Sequence, residues 1–565
     1  MASFLAPSFS GYEHRWIRPD IIAGLAVWAV LVPESLAYAT IAGVPPVVGL
    51  YAAVPALALY AIAGTSRQLV VSPMSATAAL SAGIVASVAG ADGDPVALTT
   101  ALALATGIAA IIAGLLRLGF LAAFISEPVL KGFIIGLALT IMIGQVPDLI
   151  GVEGGHGSFF EKTWALLGQL GDVDALTLTV GLASLAALVV VRRTMPFLPG
   201  SLVVVLLAIG AAILFGLSDR GLAVVGHIDA GLPRVGLPDV TAPQFLELLG
   251  GAVGLMLVGF AEGLGAAKTY AASRGYDVDP NRELVGLGIS NLGSGVLSGM
   301  VVNGSLSKTA VNASAGARSQ ISALTAAALT VVTLLFLTGV FEQLPLATLA
   351  AVVVVAVVEL VDVRSLRRLW RVRTGRLVHV YQVTARADFM AAGAALLGVL
   401  IFDTLPGLVI GIAVSLILLL ARTSRPRVTV LAPVGDELGR PWVDAERNPD
   451  YATVPGVLAV RVEGSLLFAN AEFVRARIRD LAAEASDLRL VVLDGRATPS
   501  VDVTAAAMLV QLRGDLRRDG ADLALAEGIG QVRDVLARIG AEGEPPLFST
   551  LDDAIRSGRP DDETG

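Results

Sequence analysis

A chain whose apolar runs can cross a bilayer has few ways to fold. Each backbone N–H or C=O left unpaired in hydrocarbon costs several kcal/mol, so regular helices dominate. One stretch here departs from that pattern: Ser298-Gly-Met-Val-Val-Asn-Gly-Ser-Leu-Ser-Lys-Thr-Ala-Val-Asn-Ala-Ser-Ala-Gly316. It is rich in Ser, Asn, Thr and Gly and carries Lys308, inside otherwise apolar sequence. It reads as a short extended piece, Met300 to Asn303, followed by a helix opening near Gly304-Ser305. Such a segment must sit inside protein or line a watery cavity.

The first half of the chain holds a partner. Val70-Val-Ser-Pro-Met-Ser-Ala-Thr-Ala78 resembles Val301-Val-Asn-Gly-Ser-Leu-Ser-Lys-Thr-Ala310, with one residue of slip. Two Gly- or Pro-interrupted segments at matching places in two halves point to a binding site near the middle of a membrane. Each half-helix aims bare N–H groups and a dipole end worth about half a charge at that point. The pair makes a seat for an anion, and Lys308, one turn into the second helix, adds a full positive charge.

Composition fits this setting. Of 565 residues, 55% are hydrophobic and only 16% charged, well below the charged share of a soluble domain, and mean hydropathy is +0.76. With no Cys there is no disulfide framework, thiol catalysis or Cys-ligated metal. The four His (14, 156, 227, 379) lack metal-ligand spacing, and a net charge of −8 argues against nucleic acid as a partner. Residues 1–20 are polar and run into a long apolar segment without a small-residue cleavage pattern, so the first span is expected to be retained.

Fourteen apolar spans are read, near 21–42, 46–63, 73–90, 96–116, 128–147, 175–191, 201–217, 244–270, 284–299, 304–316, 320–340, 346–361, 387–402 and 405–421. The third and tenth are the interrupted pair, and the tenth is too short to cross alone, since a crossing needs about 20 residues. Seven plus seven spans imply a repeat inverted in the membrane. Under this count Arg15, Arg18, Arg67, Arg117, Arg192, Arg193, Lys268, Arg274, Arg282, Arg318, the run Arg364 to Arg376, Arg422, Arg425 and Arg427 fall on one side. The other side has only Lys162, Arg220 and Arg234, with acids such as Asp92, Asp94, Asp148, Asp172, Asp229 and Asp403. The positive-inside rule then makes both termini cytoplasmic, and short loops with an Ala- and Arg-rich composition point to a bacterial inner membrane. After a linker at 422–434, residues 435–565 have the composition of a soluble domain. Strands read at 456–463, 488–494 and 521–527 alternate with helical spacing at 472–484, 503–518 and 529–539, implying a small α/β domain with a mostly parallel sheet.

Several stretches together resemble the sulfate permease family of anion transporters. They are Pro33-Glu-Ser-Leu-Ala-Tyr-Ala-Thr-Ile-Ala-Gly43, Pro45-Pro46, Gly49-Leu-Tyr51, Gly64-Thr-Ser-Arg-Gln-Leu69, Asp279-Pro-Asn-Arg-Glu-Leu284 and Gly304-Ser-Leu-Ser-Lys-Thr-Ala-Val-Asn312. The tail, with Gly464-Ser-Leu-Leu-Phe-Ala-Asn470 and Asp494 to Thr504, resembles that family's STAS domain. The resemblance implies two inverted seven-span repeats, the scaffold of uracil transporters. A core domain (spans 1–4 and 8–11) would move past a gate domain (spans 5–7 and 12–14) as an elevator. It also implies homodimers and small anions as substrates: sulfate, bicarbonate, chloride or dicarboxylates.

Ser72, Ser75, Gly304, Ser305 and Ser307 are expected either to touch the anion or to let helices pack closely. Lys308 either holds the anion or snorkels to the cytoplasmic face; the family more often has Arg here, whose planar fork Lys lacks. Glu262, in Gly259-Phe-Ala-Glu-Gly-Leu-Gly265, either carries a coupling proton or pairs statically with Lys308. Glu34 stands where the family commonly has Gln; a carboxylate there is either a second titrating group beside the seat or a charge that repels a divalent anion. Tyr38 and Met74 either wall the site or simply pack. Asn291, Asn303 and Asn312 either support the site or cap helices, with capping the favoured reading. Sodium-coupled relatives carry oxygen ligands at the positions of Glu262, Ala266 and Leu306; here those are short, which favours protons or exchange over sodium. Thr504, in Asp502-Val-Thr504, is either a regulatory phosphosite at a helix start or part of an ordinary N-cap.

The expected function is secondary active transport of small anions, without a cofactor. Two rivals stay open. A nucleobase permease would share the scaffold, but Lys308 and the soluble tail count against it. A membrane sensor or scaffold would move nothing and signal through a cytosolic partner of the tail. No nucleophile–base set appears, so the chain is not read as an enzyme.

Overall fold

The computed structural model describes residues 7–9, 12–89, 93–120, 126–155, 157–195, 200–228, 230–358, 361, 384–402, 404–435, 441–528, 530–539 and 544–557. The Arg364–Arg376 run, Asp92, Asp229 and Asp403 lie outside the described residues. The chain divides into two compact units, Met1–Ser415 and Leu416–Gly565.

In the first unit, α1 (Ile17–Ile41), α2 (Val47–Ala63), strand β1 (Val70–Ser72), α3 (Ser75–Ala89) and α4 (Pro95–Leu115) form one set. It is followed by α5 (Glu127–Ile150), α6 (Phe159–Gly168), α7 (Ala175–Thr194) and α8 (Gly200–Phe215). The pattern restarts with α9 (Ala242–Arg274), α10 (Pro280–Val296), strand β2 (Asn303–Ser305), α11 (Leu306–Ser314) and α12 (Ile321–Val332). Next come α13 (Thr338–Phe341), α14 (Leu346–Val358), α15 (Thr384–Phe402) and α16 (Thr404–Thr423). Six described helical stretches are long and apolar enough to cross a membrane, and six shorter apolar helices accompany them.

Two packing groups are evident. α10 lies against α4 and α2, α1 against α12, and α4 and α3 against α9. Separately, α5 packs against α15 and α14, and α14 against α7. The first group holds a buried apolar core that includes Tyr60, Leu69, Val71, Phe260, Leu264, Met300 and Val302. Between α12 and α13 the helix widens into one π turn, Thr333–Leu337. The freed carbonyl of Leu334 there accepts the Gly231 N–H at 2.9 Å, so the bulge sits where the 222–236 loop hydrogen-bonds into the helix.

The second unit is a six-stranded sheet in the order β4-β3-β5-β6-β7-β8. Its strands are β3 (Arg427–Pro433), β4 (Trp442–Asp444), β5 (Val457–Glu463), β6 (Leu490–Asp494), β7 (Asp522–Ala526) and β8 (Leu547–Phe548). β5 to β8 run parallel, and β3 pairs antiparallel with both β4 and β5. Helices α17 (Ala471–Glu484), α18 (Val503–Arg518), α19 (Gly530–Ile539) and α20 (Leu551–Ser557) complete it. Side chains alternate between faces: Leu458, Val460 and Val462 join the core under α17 and α18, while Ala459 joins the one under α20. The stretch expected as a linker at 422–434 thus contains β3. Its alternating Val428, Val430 and Ala432 were masked in sequence by the neighbouring Arg425 and Arg427.

Candidate functional site

The two interrupted segments meet. β1 and β2 pair antiparallel with Val70 opposite Ser305, Val71 opposite Gly304 and Ser72 opposite Asn303. Three residues a side is enough to satisfy backbone that has left one half-helix and not yet entered the next. Where the ladder ends, side chains continue the pairing. The Val70 N–H donates to Thr309 Oγ1 at 3.1 Å, and that hydroxyl donates to the Ser305 carbonyl at 2.5 Å. Ser305 caps α11 by accepting the Lys308 N–H at 3.3 Å. The extended piece therefore runs through Ser305, slightly beyond the expected Asn303.

Close approach depends on glycine. A Cβ on Gly304 would lie 2.9 Å from Gly263 Cα and 3.0 Å from the Leu69 side chain. One on Gly259 would lie 2.7 Å from the Asn303 amide nitrogen. Gly259 and Gly263, one turn apart on α9, thus form the groove that receives β2.

Lys308 is the centre of charge. Its side chain is 1% exposed, and its Nζ lies 2.8 Å from Glu34 Oε2, on α1. Nζ also donates to the Pro73 carbonyl at 3.1 Å and sits 4.9 Å from the Tyr38 ring centre. Tyr38 in turn donates its hydroxyl to Glu34 Oε2 at 3.2 Å. The ammonium is therefore held by a carboxylate, a carbonyl and an aromatic face, all at the point where α3 and α11 begin. It does not snorkel: this burial excludes the route to the cytoplasmic face left open above.

Ser72, Met74, Ser75, Gly304, Ser305, Glu34 and Tyr38 are all buried around that point. Ser307 is exposed, and its hydroxyl lies 3.2 Å from Ser305 Oγ. Glu262 is half-buried on α9, next to the Gly263 that faces Gly304. Among the described residues, the carboxylate paired with Lys308 is Glu34 rather than Glu262. The static Glu262–Lys308 pairing is thereby corrected: α1, not α9, supplies the partner.

Asn291 and Asn312 are braces rather than caps. Asn291 holds Val302 from both sides: its amide donates to the Val302 carbonyl at 2.9 Å and its oxygen accepts the Val302 N–H at 3.0 Å. Asn312 donates to the Gln68 carbonyl at 2.9 Å, and Asn303 faces Gly259. Reading them as caps fails because the extended piece before α11 leaves backbone to be satisfied well away from any helix start.

Sequence reading did not single out the brace on the β1 side. Buried Glu283 on α10 accepts from Tyr60 Oη at 2.6 Å, Thr65 N at 2.7 Å, Thr65 Oγ1 at 2.5 Å and Ser66 N at 3.2 Å. Gln320 donates to the Ser66 and Leu69 carbonyls at 2.8 and 2.9 Å. Glu283 lay within a quoted motif, just before the ninth span, where a carboxylate reads as an ordinary first-turn residue.

In the second unit Thr504 is exposed in the first turn of α18. The cap is Asp502, whose Oδ1 accepts the Ala505 N–H at 2.8 Å and whose Oδ2 accepts the Phe468 N–H at 2.7 Å. Asp522 is gripped by Arg513 and Arg517, at 2.7 and 3.0 Å, and the Arg513 hydrogen bond holds its carboxyl well below the usual range.

Comparison with known proteins gives one consistent result. The model of the "Sulfate permease family" matches residues 17–382, and that of the "STAS domain" matches residues 448–554. A Mycobacterium tuberculosis protein named "Probable sulfate transporter" is 35% identical, over 98% of this chain and 97% of its own length. Sulfate transporter 1.1 of Arabidopsis thaliana is 28% identical, over 96% of this chain and 86% of its own. The inward-facing structure of the murine Solute Carrier 26 family member A9 anion transporter superposes with a TM-score of 0.86. It is 23% identical and covers 98% of this chain and 94% of that one. The transmembrane domain of a cyanobacterium bicarbonate transporter superposes at 0.61, with 24% identity, over 71% of this chain and 98% of that one. These two likenesses establish the fold: a helical membrane transporter architecture, the former with its C-terminal α/β domain. The chain, a multi-pass membrane protein, belongs to the sulfate permease family of anion transporters and carries a STAS domain.

Proposed function

We propose that this protein is a secondary active transporter in which Lys308 and the starts of α3 and α11 hold a small anion, with Glu34 carrying the coupling proton. The observation that supports this most is the buried Lys308–Glu34 pair, 2.8 Å apart, at the meeting point of the two half-helices. While Glu34 is ionised, its carboxylate occupies the place a substrate anion needs. Once protonated it releases the ammonium, so one proton enters with each anion. Ser72, Met74, Ser75, Gly304, Ser305, Ser307 and Tyr38 line the seat. Glu262 is a second proton carrier on the facing helix. Sulfate, bicarbonate or a dicarboxylate is the substrate class; the first two are what the relatives' names say they carry.

Alternating access would proceed as an elevator, the group around α1–α4 and α9–α12 sliding past that around α5, α7, α14 and α15, within a homodimer. Both termini face the cytoplasm across the inner membrane, by the distribution of Arg and Lys. Thr504, exposed on α18, is a site where a phosphate would alter contacts with a cytosolic partner.

The test is uptake of sulfate, bicarbonate, fumarate and succinate into proteoliposomes under an imposed proton gradient, a sodium gradient, or neither. At least one anion is expected to accumulate with the proton gradient, and Glu34→Gln to lose that stimulation. No uptake of any anion, or equal stimulation in the variant, overturns the reading. A non-transporting sensor is distinguished by removing the second unit. The cut belongs before β3, at about residue 424, because a cut at 435 would leave that strand unpaired. A transporter keeps flux after it.

A further inference from the structure

The 151–174 connection between α5 and α7 contains α6, a helix that neither the seat nor the two packing groups require. Its sequence, Phe159-Phe-Glu-Lys-Thr-Trp-Ala-Leu-Leu-Gly168, is opened by a capping box: the Ser158 N–H donates to Glu161 Oε2 at 2.7 Å. At ten residues the helix is too short to cross a bilayer. It nevertheless presents large apolar side chains outward. Phe160 is 54% exposed, Trp164 79% and Leu167 54%. Their spacing of four and three residues puts them on one stripe. Ala165 lies on the opposite side, where it packs against residue 155. Leu170, just beyond the helix, extends the apolar surface at 55% exposed.

What covers this stripe follows from its neighbours. α6 packs against α5 and α15. α15 carries its own outward row, Leu397, Ile401 and Phe402, each about half exposed or more. In a multi-pass membrane protein that row is the lipid-facing surface, and α6 packs beside the helix that carries it. The helix lies between the end of one crossing helix and the start of the next, which fixes it at the level of the headgroups. Trp and Phe on one side of a short helix suit that depth, where an aromatic body meets acyl chain and an indole N–H meets water.

We propose that α6 is an in-plane anchor, its Phe160–Trp164–Leu167 stripe sunk about 5–10 Å into the headgroup–acyl boundary of the bilayer. The occupant of the stripe is lipid, not a second copy of the chain.

Because the chain has no Cys, a single introduced cysteine is a unique label site. Trp164→Cys and, as a second variant, Leu167→Cys are spin-labelled in the full-length protein. The exposed loop residue Glu153, replaced as Glu153→Cys, serves as the aqueous reference. Each is reconstituted into phosphatidylethanolamine–phosphatidylglycerol vesicles. Collision with oxygen, which partitions into lipid, is compared with collision with a water-soluble nickel chelate. The expected result is oxygen over nickel at 164 and 167, and the reverse at 153. Nickel accessibility at 164 and 167 equal to that at 153 overturns the proposal in favour of a water-facing helix. Labels shielded from both reagents overturn it in favour of a protein-covered surface. The readout is independent of transport, so it stands or falls apart from the proton-coupling reading.

Discussion

Replacing Glu34 with Gln isolates the coupling step. At 2.8 Å and an effective dielectric of about 20, two unit charges attract by about 6 kcal/mol. Desolvation removes part of this, and breaking buried pairs from one side costs about 3–5 kcal/mol. An anion that must displace the ionised carboxylate from Lys308 therefore loses about two to three and a half decades of affinity. Protonating Glu34 restores them. In Glu34→Gln no carboxylate charge competes for Lys308, and a Gln oxygen still fits near the ammonium. The assay is equilibrium binding of radiolabelled sulfate, or whichever anion the uptake panel selects, to purified protein at neutral pH. Glu34→Gln is expected to bind about two to three and a half decades more tightly than wild type. Equal affinity in the two proteins refutes the role given to Glu34.

Four further outcomes follow from the same geometry. Lys308→Ala should lower thermal stability by stranding Glu34, and adding Glu34→Gln should recover most of that loss, as unfolding of the two variants will tell. Gly304→Val should force β2 away from Gly263 and Leu69, costing about 1–3 kcal/mol and uptake together; unchanged uptake would contradict the close approach. Asn291→Ala leaves the Val302 N–H and C=O unpaired and should cost about 1–3 kcal/mol, measured by thermal unfolding in detergent, whereas Asn291→Asp retains one of the two bonds. Asp522→Asn should weaken the second unit at neutral pH. The carboxyl's depressed pKa adds stability above its unfolded value of about 4 and loses it as pH falls below, so the gap to wild type should close on acidification. Trp442 fluorescence in denaturant reports it, since that side chain donates to Asp552 at 3.1 Å within the same unit.

Much of this architecture could be read from residues, and the exceptions have a physical pattern. The paired broken segments stood out because Ser, Asn and Lys at membrane depth are tolerated only where backbone and charge find partners. The parallel strands β5, β6 and β7 stood out as short apolar runs between amphipathic helices. What sequence could not supply was which distant group completes each contact. Lys308 has two candidate carboxylates, Glu34 and Glu262, and only the packing of α1 over α11 decides between them. Asn291 and Glu283 look like ordinary polar residues in a helix until β2 and the 64–66 loop are laid against them. β3 was hidden because a strand that directly follows a basic stretch has the look of a tether.

The most direct measurement of the central claim is uptake of the panel anions by Lys308→Ala protein in proteoliposomes, beside wild type, with folding verified by gel filtration. If the ammonium at the junction of the two half-helices attracts the substrate, as proposed, the variant should take up none of them while eluting as wild type does. Uptake at the wild-type rate would mean that the anion passes elsewhere.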